Sequence, residues 1–223
     1  MFEHNHLPNP GLTKGKIPDE IYQTLNKEIV DIHNDDSNTM RMNRSLAGQI
    51  TKEYQITKSL PLLNPYLEEM ARAYQEQWNY YPKESPNKDL KVESVWVNMQ
   101  KKLEVNPLHN HDGTLSFVAW LYVPFKLEDE RNMENCKNSR TVELASTFQF
   151  VYNNVLGTIS NCPMFVESGW EANIVMFPSK LLHIVYPFQT SDDYRISIAG
   201  NLYYCFILLP EHVTKLQFTQ IGL

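Results

Sequence analysis

The chain has 223 residues, of which 42% are hydrophobic and 12% aromatic, and it carries a net charge of -6 at pH 7. This apolar content supports a sizeable core and excludes wholesale disorder. The acidic balance and the lack of a long Lys/Arg run argue against a broad footprint on duplex DNA or on an anionic membrane. A local basic groove stays possible, so nucleic acid remains open as a substrate.

The cysteines and the N-terminal sequence indicate a cellular compartment. Cys136, Cys162 and Cys205 are widely spaced and form no CxxC pair. This usage predicts free thiols in a reducing cytosol rather than a zinc finger or a disulfide framework. The first twenty residues contain no apolar signal region, and no apolar run approaches the roughly 18 residues of a membrane span. We therefore expect a soluble, cytoplasmic protein.

The N-terminal third predicts two helices joined by irregular chain. Residues 1–17, rich in Pro, Asn and Gly, predict an extended lead-in. Pro18-Asp19-Glu20 precedes the segment IYQTLNKEIVDIHN, whose apolar residues recur at helical spacing and whose first acidic residues suit the helix dipole. Residues 35–60 are polar and predict irregular connections. A longer helix is predicted over about 61–82, ended by Tyr80-Tyr81-Pro82.

After the loop at 82–91 the pattern changes to short strands separated by turn residues. Strands are predicted within 92–106, 115–124, 147–152, 157–162, 164–167 and 173–177, and a hairpin is predicted to join 183–188 to 194–206. The charged segment 126–145 is predicted to be a mobile insertion, which is either a lid or substrate-recognition element or a variable surface loop. The fold class is therefore mainly β with N-terminal helices (α+β), a β-sandwich or jelly roll. We expect one compact domain, with 1–91 supporting a core at 92–223.

His109-Asn110-His111 is the first candidate metal site. Residues i and i+2 of an extended segment point to one side, and neutral imidazoles are good ligands for Fe, Zn, Cu or Ni. The same tripeptide at His4 to His6 lies at the terminus with no strand behind it, and we expect it to be an ordinary surface feature. Asp112 is the rival of His111, because Gly113 allows the chain to bend there. It could instead orient a ligating histidine.

His183 and the strand beyond Asp193 complete the constellation. His183 is the candidate third ligand on a separate strand. Alternation places Arg195, Ser197, Ala199 and Asn201 on one face of the last strand. A buried guanidinium suits a carboxylate because its planar fork holds two oxygens, although a salt bridge from Arg195 to Asp192 or Asp193 is an alternative. The set predicts a metal with open positions beside an organic acid.

These residues resemble the Fe(II)/2-oxoglutarate-dependent oxygenase superfamily, and more narrowly the oxygenases of this type found in tailed-phage and marine bacterial genomes. The matching stretches are Trp96-Val-Asn98, NPLHNHDGTLSFVAWLYVP, GWEANIVMFPSKLLHIVYPF and YRISIAGNL. His183 and Arg195-Ile-Ser197 match the superfamily's distal His and Arg-x-Ser. The first motif departs from His-x-Asp/Glu, since His111 occupies the carboxylate position, and the second ligand is open between His111 and Asp112.

The resemblance implies a double-stranded β-helix of the jelly-roll, cupin-like kind. It implies Fe(II) held by His109, His111 and His183, with 2-oxoglutarate bound at its distal carboxylate by Arg195 and Ser197, helped by Tyr122 or Asn98. Oxygen would be the other co-substrate, and ascorbate a candidate reductant. A phage-encoded protein of this kind would work in the host cytoplasm.

The activity implied is hydroxylation with release of succinate and CO2. The substrate is open between a protein side chain such as proline, a small molecule and a nucleobase. The alternatives are a non-catalytic cupin-like module or sensor that binds metal and a carboxylate, and a hydrolase that uses zinc-activated water.

Overall fold

The computed structural model describes residues 11–35, 40–79 and 89–204. Within them the helices are α1 (Asp19–Asn34), α2 (Leu60–Trp78) and the short α3 (Leu127–Arg131), with a 3₁₀ turn at Val142–Leu144. The strands are β1 (Thr13–Lys16), β2 (Lys52–Gln55), β3 (Leu90–Gln100), β4 (Asn106–His109), β5 (Leu115–Tyr122), β6 (Phe148–Asn153), β7 (Ile159–Met164), β8 (Asn173–Pro178), β9 (Leu182–Val185) and β10 (Arg195–Tyr204).

The strands form two antiparallel sheets. The large sheet has the order β1-β8-β5-β10-β3-β2, and the small sheet has the order β4-β9-β6-β7. This architecture, mainly β with few helices, confirms the predicted fold class. One prediction about local structure was wrong, because β2 lies within the supposedly irregular segment 35–60, and part of the extended lead-in forms the paired strand β1. Strands β1 and β2 gain stability by pairing with β8 and β3, long-range contacts that local composition does not reveal.

The predicted hairpin between 183–188 and 194–206 is also wrong. Strand β9 pairs with β4 and β6 in the small sheet, whereas β10 pairs with β3 and β5 in the large sheet. The chain between them therefore crosses from one sheet to the other. This crossing places His183 on the wall opposite Arg195, with space between them.

The two faces of the large sheet have different partners, as strand alternation dictates. Its outer face packs against α1 and α2 through buried apolar side chains such as Leu25, Leu67 and Val97. Its inner face meets the small sheet through a second apolar cluster that includes Trp120, Phe150 and Phe177. The helices thus shield one face of the sheet and leave the other to form a cavity.

Both long helices occur where the sequence predicts them. Helix α1 carries Asp19 and Glu20 in its first turn. Helix α2 ends at Trp78, where Asn79 adopts the left-handed conformation with φ of 46°. The predicted terminator Tyr80-Tyr81-Pro82 lies outside the described residues. No helix in the described ranges is long and apolar enough to cross a membrane.

Candidate metal centre

A cavity of about 290 Å³ opens between the two sheets. Its polar wall belongs to the large sheet, whose strands β2, β3 and β10 contribute side chains in register. Its apolar wall comes from β5, β6, β8 and β9. The residues that line it include Glu53, Asn98, Gln100, Asn106, His109, His111, Asp112, Val118, Trp120, Phe148, Phe177, His183, Arg195, Ser197 and Asn201.

The structure brings His109, His111 and His183 together. Their nearest candidate ligand nitrogens all lie within 4.8 Å of one another. His109 and His183 are cross-strand partners in β4 and β9, and their ring centroids are 4.2 Å apart. Two nitrogens bound to one tetrahedral metal at about 2.1 Å lie about 3.4 Å apart, so the rings would close by up to about 1.4 Å to hold a metal.

The hydrogen bonds of two of these rings leave one nitrogen of each available. His109 Nδ1–H donates to the carbonyl of Pro107 at 2.6 Å, and His183 Nδ1–H donates to the carbonyl of Leu181 at 3.0 Å. Metal-ligating histidines typically donate their second ring N–H to a carbonyl in this way, which fixes the tautomer and leaves Nε2 for the metal. His111 Nδ1 is buried without a hydrogen-bond partner among the described residues.

Burial keeps all three imidazoles neutral. It lowers the pKa of His109, lowers that of His111 to about 4, and takes the pKa of His183 well below its usual value. The mutual proximity of the rings lowers the pKa of His111 and His183 further. A neutral imidazole is the form that binds a metal, so at neutral pH these side chains need lose no proton to do so.

Asp112, the rival of His111, lies apart from this group. Gly113 has φ of 95°, and the turn at this position directs the Asp112 side chain outward. Its carboxylate is 3.4 Å from Lys180 Nζ and is 88% exposed. It therefore faces solvent and a lysine.

Arg195 lies in a buried pocket of neutral acceptors, and only 2% of its surface is exposed. Its Nε and Nη2 groups donate to Gln100 Oε1 at 3.1 and 2.6 Å, and its Nη1 and Nη2 groups donate to the carbonyls of Ser146 and Tyr186. The predicted alternative was a salt bridge from Arg195 to Asp192 or Asp193. Asp192 pairs with Lys102 instead, and Arg195 forms no ion pair among the described residues. Burial lowers the pKa of Arg195 to about 9, so the guanidinium remains charged at neutral pH.

The remaining predicted residues divide between two places. Ser197 and Asn98 are direct partners across β10 and β3, and both line the cavity. Tyr122 does not join them: it is 44% exposed and lines a separate surface cavity with Phe125 and Lys126. The structure therefore brings Asn98 to the site and leaves Tyr122 outside it.

The segment that covers the cavity is 42–50, which contributes Met42, Leu46 and Ile50 to its lining. The predicted lid, 126–145, contributes no lining residue. Glu130, which is fully buried, attaches this segment to residues 189 and 190. Its carboxylate accepts hydrogen bonds from the backbone N–H groups of Gln189 and Thr190, both at 2.8 Å.

Three residues that line the cavity or hold Arg195 were missed at the sequence level. Gln100 shares a strand face with Asn98, so alternation could have found it. The carbonyl of Ser146 accepts a hydrogen bond from Arg195. Ser146 has φ of 59°, a strained conformation that no sequence pattern predicts. Glu53 lies in a polar segment with no recognisable motif.

The donor set fits a divalent transition metal. Three neutral imidazoles suit Fe, Zn, Cu or Ni, and three protein ligands leave coordination positions free. Among the described residues, no carboxylate belongs to this cluster of candidate metal ligands. The cavity also has a charged guanidinium with only neutral direct partners, which suits an anionic ligand.

A cavity between two antiparallel sheets, with three clustered histidines and a buried arginine, defines the class: a jelly-roll protein with a site suited to a metal and an organic anion. Residues 94–201 match the family model described as "Putative 2OG-Fe(II) oxygenase". The matched segment includes every site residue predicted from the sequence. The match confirms both the resemblance and the enzyme class.

Solved structures show the same fold at low sequence identity. A Pseudomonas putida prolyl-4-hydroxylase matches with a TM-score of 0.52 and 12% identity, covering 86% of this chain and 92% of that one. HygX from Streptomyces hygroscopicus, with nickel, 2-oxoglutarate and hygromycin B bound, matches with a TM-score of 0.52 and 13% identity over 88% and 84%. AviO1 from Streptomyces viridochromogenes matches with a TM-score of 0.50 and 12% identity over 90% and 92%. No curated protein gives a significant sequence match. The narrower resemblance to phage and marine bacterial oxygenases stays a prediction.

Proposed function

We propose that this protein is an Fe(II)- and 2-oxoglutarate-dependent dioxygenase that hydroxylates a substrate and releases succinate and CO2. The observation that carries the proposal is the clustering of His109, His111 and His183 opposite Arg195 in one cavity. The family match at 94–201 supports the same activity. Oxygen and 2-oxoglutarate are the co-substrates.

In this proposal the three histidines hold the iron. The carbonyls of Pro107 and Leu181 fix the tautomers of His109 and His183, so each presents a nitrogen lone pair inward. Asp112 is left to orient the turn through Lys180. When bound, the iron supplies the redox chemistry that couples oxidation of 2-oxoglutarate to hydroxylation of the substrate.

Arg195 and Ser197 bind the distal carboxylate of 2-oxoglutarate. The four hydrogen bonds described above use four of the five guanidinium N–H groups and leave one on Nη1 for a ligand. Gln100 and Ser146 hold the guanidinium in place, and Asn98 lies beside Ser197 as the second polar contact. Tyr122, which the sequence also nominated, has no part in this arrangement.

The apolar wall excludes water from the reacting centre. Phe148 and Phe177 pack against His183 with ring centroids 5.4 and 5.2 Å away, and Trp96 packs against His111 at 5.4 Å. A dry wall strengthens the charge interactions inside the cavity and limits side reactions with solvent. Segment 42–50 completes the enclosure on the side of β2.

Residues 1–91 support the core at 92–223 in one domain, since β1 and β2 pair with core strands. A cytoplasmic location accords with the free thiols of Cys136 and Cys162; Cys205 lies outside the described residues. Ascorbate serves as a candidate reductant. The substrate is a protein side chain such as proline, a small molecule or a nucleobase.

The test is formation of succinate from 2-oxoglutarate by purified protein, with Fe(II) and oxygen present or withheld, and with ascorbate added or omitted. The proposal expects succinate only when both Fe(II) and oxygen are present. Binding of metal and 2-oxoglutarate without succinate would favour the sensor or structural module. Activity without oxygen on hydrolysable substrates would favour the zinc hydrolase.

A further inference from the structure

The polar wall of the cavity contains a second charged side chain, far from the histidines in sequence. Glu53 on β2 is fully buried and lines the cavity. Its Oε2 accepts a hydrogen bond from Asn43 Nδ2 at 3.2 Å. Its Oε1 has no hydrogen-bond partner among the described residues.

Glu53 belongs to a row that crosses three strands. It is the direct partner of Asn98 across β2 and β3, and Asn98 is the direct partner of Ser197 across β3 and β10. Neighbouring strands lie about 4.8 Å apart, which puts the backbones of Glu53 and Ser197 about 10 Å apart. The backbones of Glu53 and Ser197 are therefore two strands apart, and Asn98 lies between them.

Three side-chain oxygens that belong to lining residues of the cavity are acceptors without donors among the described residues. Asn98 Oδ1 and Asn106 Oδ1 are buried and unpartnered within the described residues, as Glu53 Oε1 is. Buried polar groups are nearly always hydrogen-bonded in native proteins, so three such acceptors in one cavity indicate a ligand that supplies donors. Gly48 passes so close that a Cβ there would lie 2.5 Å from Glu53 Oε1, so Gly48 leaves room for the carboxylate.

The charge in this region also lacks a partner. Arg195 is the one Arg or Lys side chain among the described residues that lines the cavity, and it lies at the other end of the wall. Burial, with the nearby Glu104 as the second cause, raises the pKa of Glu53 to about 7. A buried carboxyl group that gains a cation returns to its charged form, which the protein alone does not stabilise here.

We propose that the cavity is bipolar and that Glu53, with Asn98 beside it, binds a positively charged nitrogen of the primary substrate, either a primary ammonium or a guanidinium. This inference rests on the proposed function, since it assigns the substrate end of the same cavity. It narrows the substrate class to cationic side chains or cationic small molecules. Segment 42–50, held by the bond from Asn43 Nδ2 to the carbonyl of Ile50, then covers the bound cation.

The first experiment is a calorimetric titration of full-length protein with n-butylammonium and n-butylguanidinium, and with 1-pentanol as an uncharged match. Each titration is run on the metal-free protein and on protein loaded with Zn(II) and 2-oxoglutarate. The variants are Glu53→Gln, which keeps the shape, and Glu143→Gln, a matched control whose side chain is 70% exposed outside the cavity. Circular dichroism checks that both fold.

The expected result is that one of the cations binds wild-type protein at least about tenfold more tightly than 1-pentanol, and that Glu53→Gln removes this preference while Glu143→Gln keeps it. A second readout follows the Glu53 carboxyl carbon by NMR. Saturation with the cation should lower the pKa of Glu53, which burial raises to about 7. A purely structural carboxyl group would not respond.

The inference is overturned if neither cation binds, if 1-pentanol binds equally well, or if Glu53→Gln binds the cation as wild type does. Succinate formation separates this failure from failure of the proposed function. Fe(II)-dependent succinate without cation selectivity overturns the inference alone. Glu53-dependent cation binding without succinate overturns the dioxygenase and leaves the cation site standing.

Discussion

His109 and His183 are direct cross-strand partners of β4 and β9, and their imidazole centroids lie 4.2 Å apart. The pairing puts two candidate ligands from distant parts of the chain side by side, with His111 only 4.8 Å from His183 by ring centroid. A site assembled from strand partners is rigid, because each ring is held by its own strand and by a carbonyl bond. The predictions below follow from this arrangement.

Replacement of His183 by Ala should abolish metal binding. The change removes one of three clustered nitrogens, so the affinity should fall by more than the 10–100-fold, approximately, that is typical of losing an outer partner of a metal ligand. Metal stoichiometry after dialysis, measured by mass spectrometry, checks this. His33→Ala on α1 is the matched control, since His33 contacts Tyr194 outside the site. Equal metal content in the two variants would contradict the assignment.

The second ligand can be decided by comparing two neighbouring variants. His111→Ala should lose metal, because its ring lies in the cluster, whereas Asp112→Ala should keep it, because that carboxylate is 88% exposed beside Lys180. Cobalt(II) absorption of the two variants gives the ligand field directly. Loss of the spectrum in Asp112→Ala with retention in His111→Ala would reverse the assignment.

Arg195→Ala should weaken 2-oxoglutarate binding much more than metal binding. A hydrogen bond to a charged group contributes about 1.5–3 kcal/mol, which corresponds to an increase of about 10- to 150-fold in the Kd for 2-oxoglutarate. Calorimetric titration of the Zn(II)-loaded protein measures it. Arg131→Ala, which removes a half-exposed arginine paired with Glu143, is the control and should leave the Kd unchanged. A larger loss of metal than of 2-oxoglutarate would contradict the proposed role.

Glu53 should make the protein less stable as the pH rises. Its folded pKa of about 7 lies above its ordinary value of 4.5, so between these values the folded state keeps a proton that the unfolded state has released. Stability from this group is complete below about pH 4.5 and is lost as pH rises to about 7, a difference of about 3 kcal/mol. Urea unfolding of wild type and Glu53→Gln from pH 5 to pH 8 measures it. The variant should lack the decline, and parallel profiles would contradict the prediction.

Glu130→Ala should destabilise the segment 126–145 and the environment of Arg195. The change leaves the backbone N–H groups of Gln189 and Thr190 and the Thr190 hydroxyl without their acceptor, while the Ser146 hydroxyl keeps only the carbonyl of Pro187. Each buried donor left without its acceptor costs about 1–3 kcal/mol. Urea unfolding gives the value, and Glu143→Gln in the same segment should change it by less than about 0.5 kcal/mol. If Glu130→Ala lowered the free energy of unfolding by no more than Glu143→Gln does, the hydrogen bonds of Glu130 would contribute little to stability.

Much of the strand pattern and the candidate site could be predicted from the sequence, because both depend on local alternation. The period of two in Arg195 to Asn201 already separates the cavity face from the face that holds Ile198 in the core. The same period could have added Gln100 to Asn98. Strands β1 and β2 could not be predicted, since four polar or mixed residues become a strand only when a long-range partner supplies the hydrogen bonds.

The sequence by itself determined the residue types of the site, their order, and the faces of the strands that carry them. Only the tertiary structure decided which of these side chains meet. It placed His183 against His109 rather than in a hairpin with Arg195, turned Asp112 toward Lys180, left Tyr122 outside, and brought Glu53 to the cavity. The physical reason is that alternation is a property of one strand, whereas pairing between sheets depends on long-range packing that no local pattern encodes.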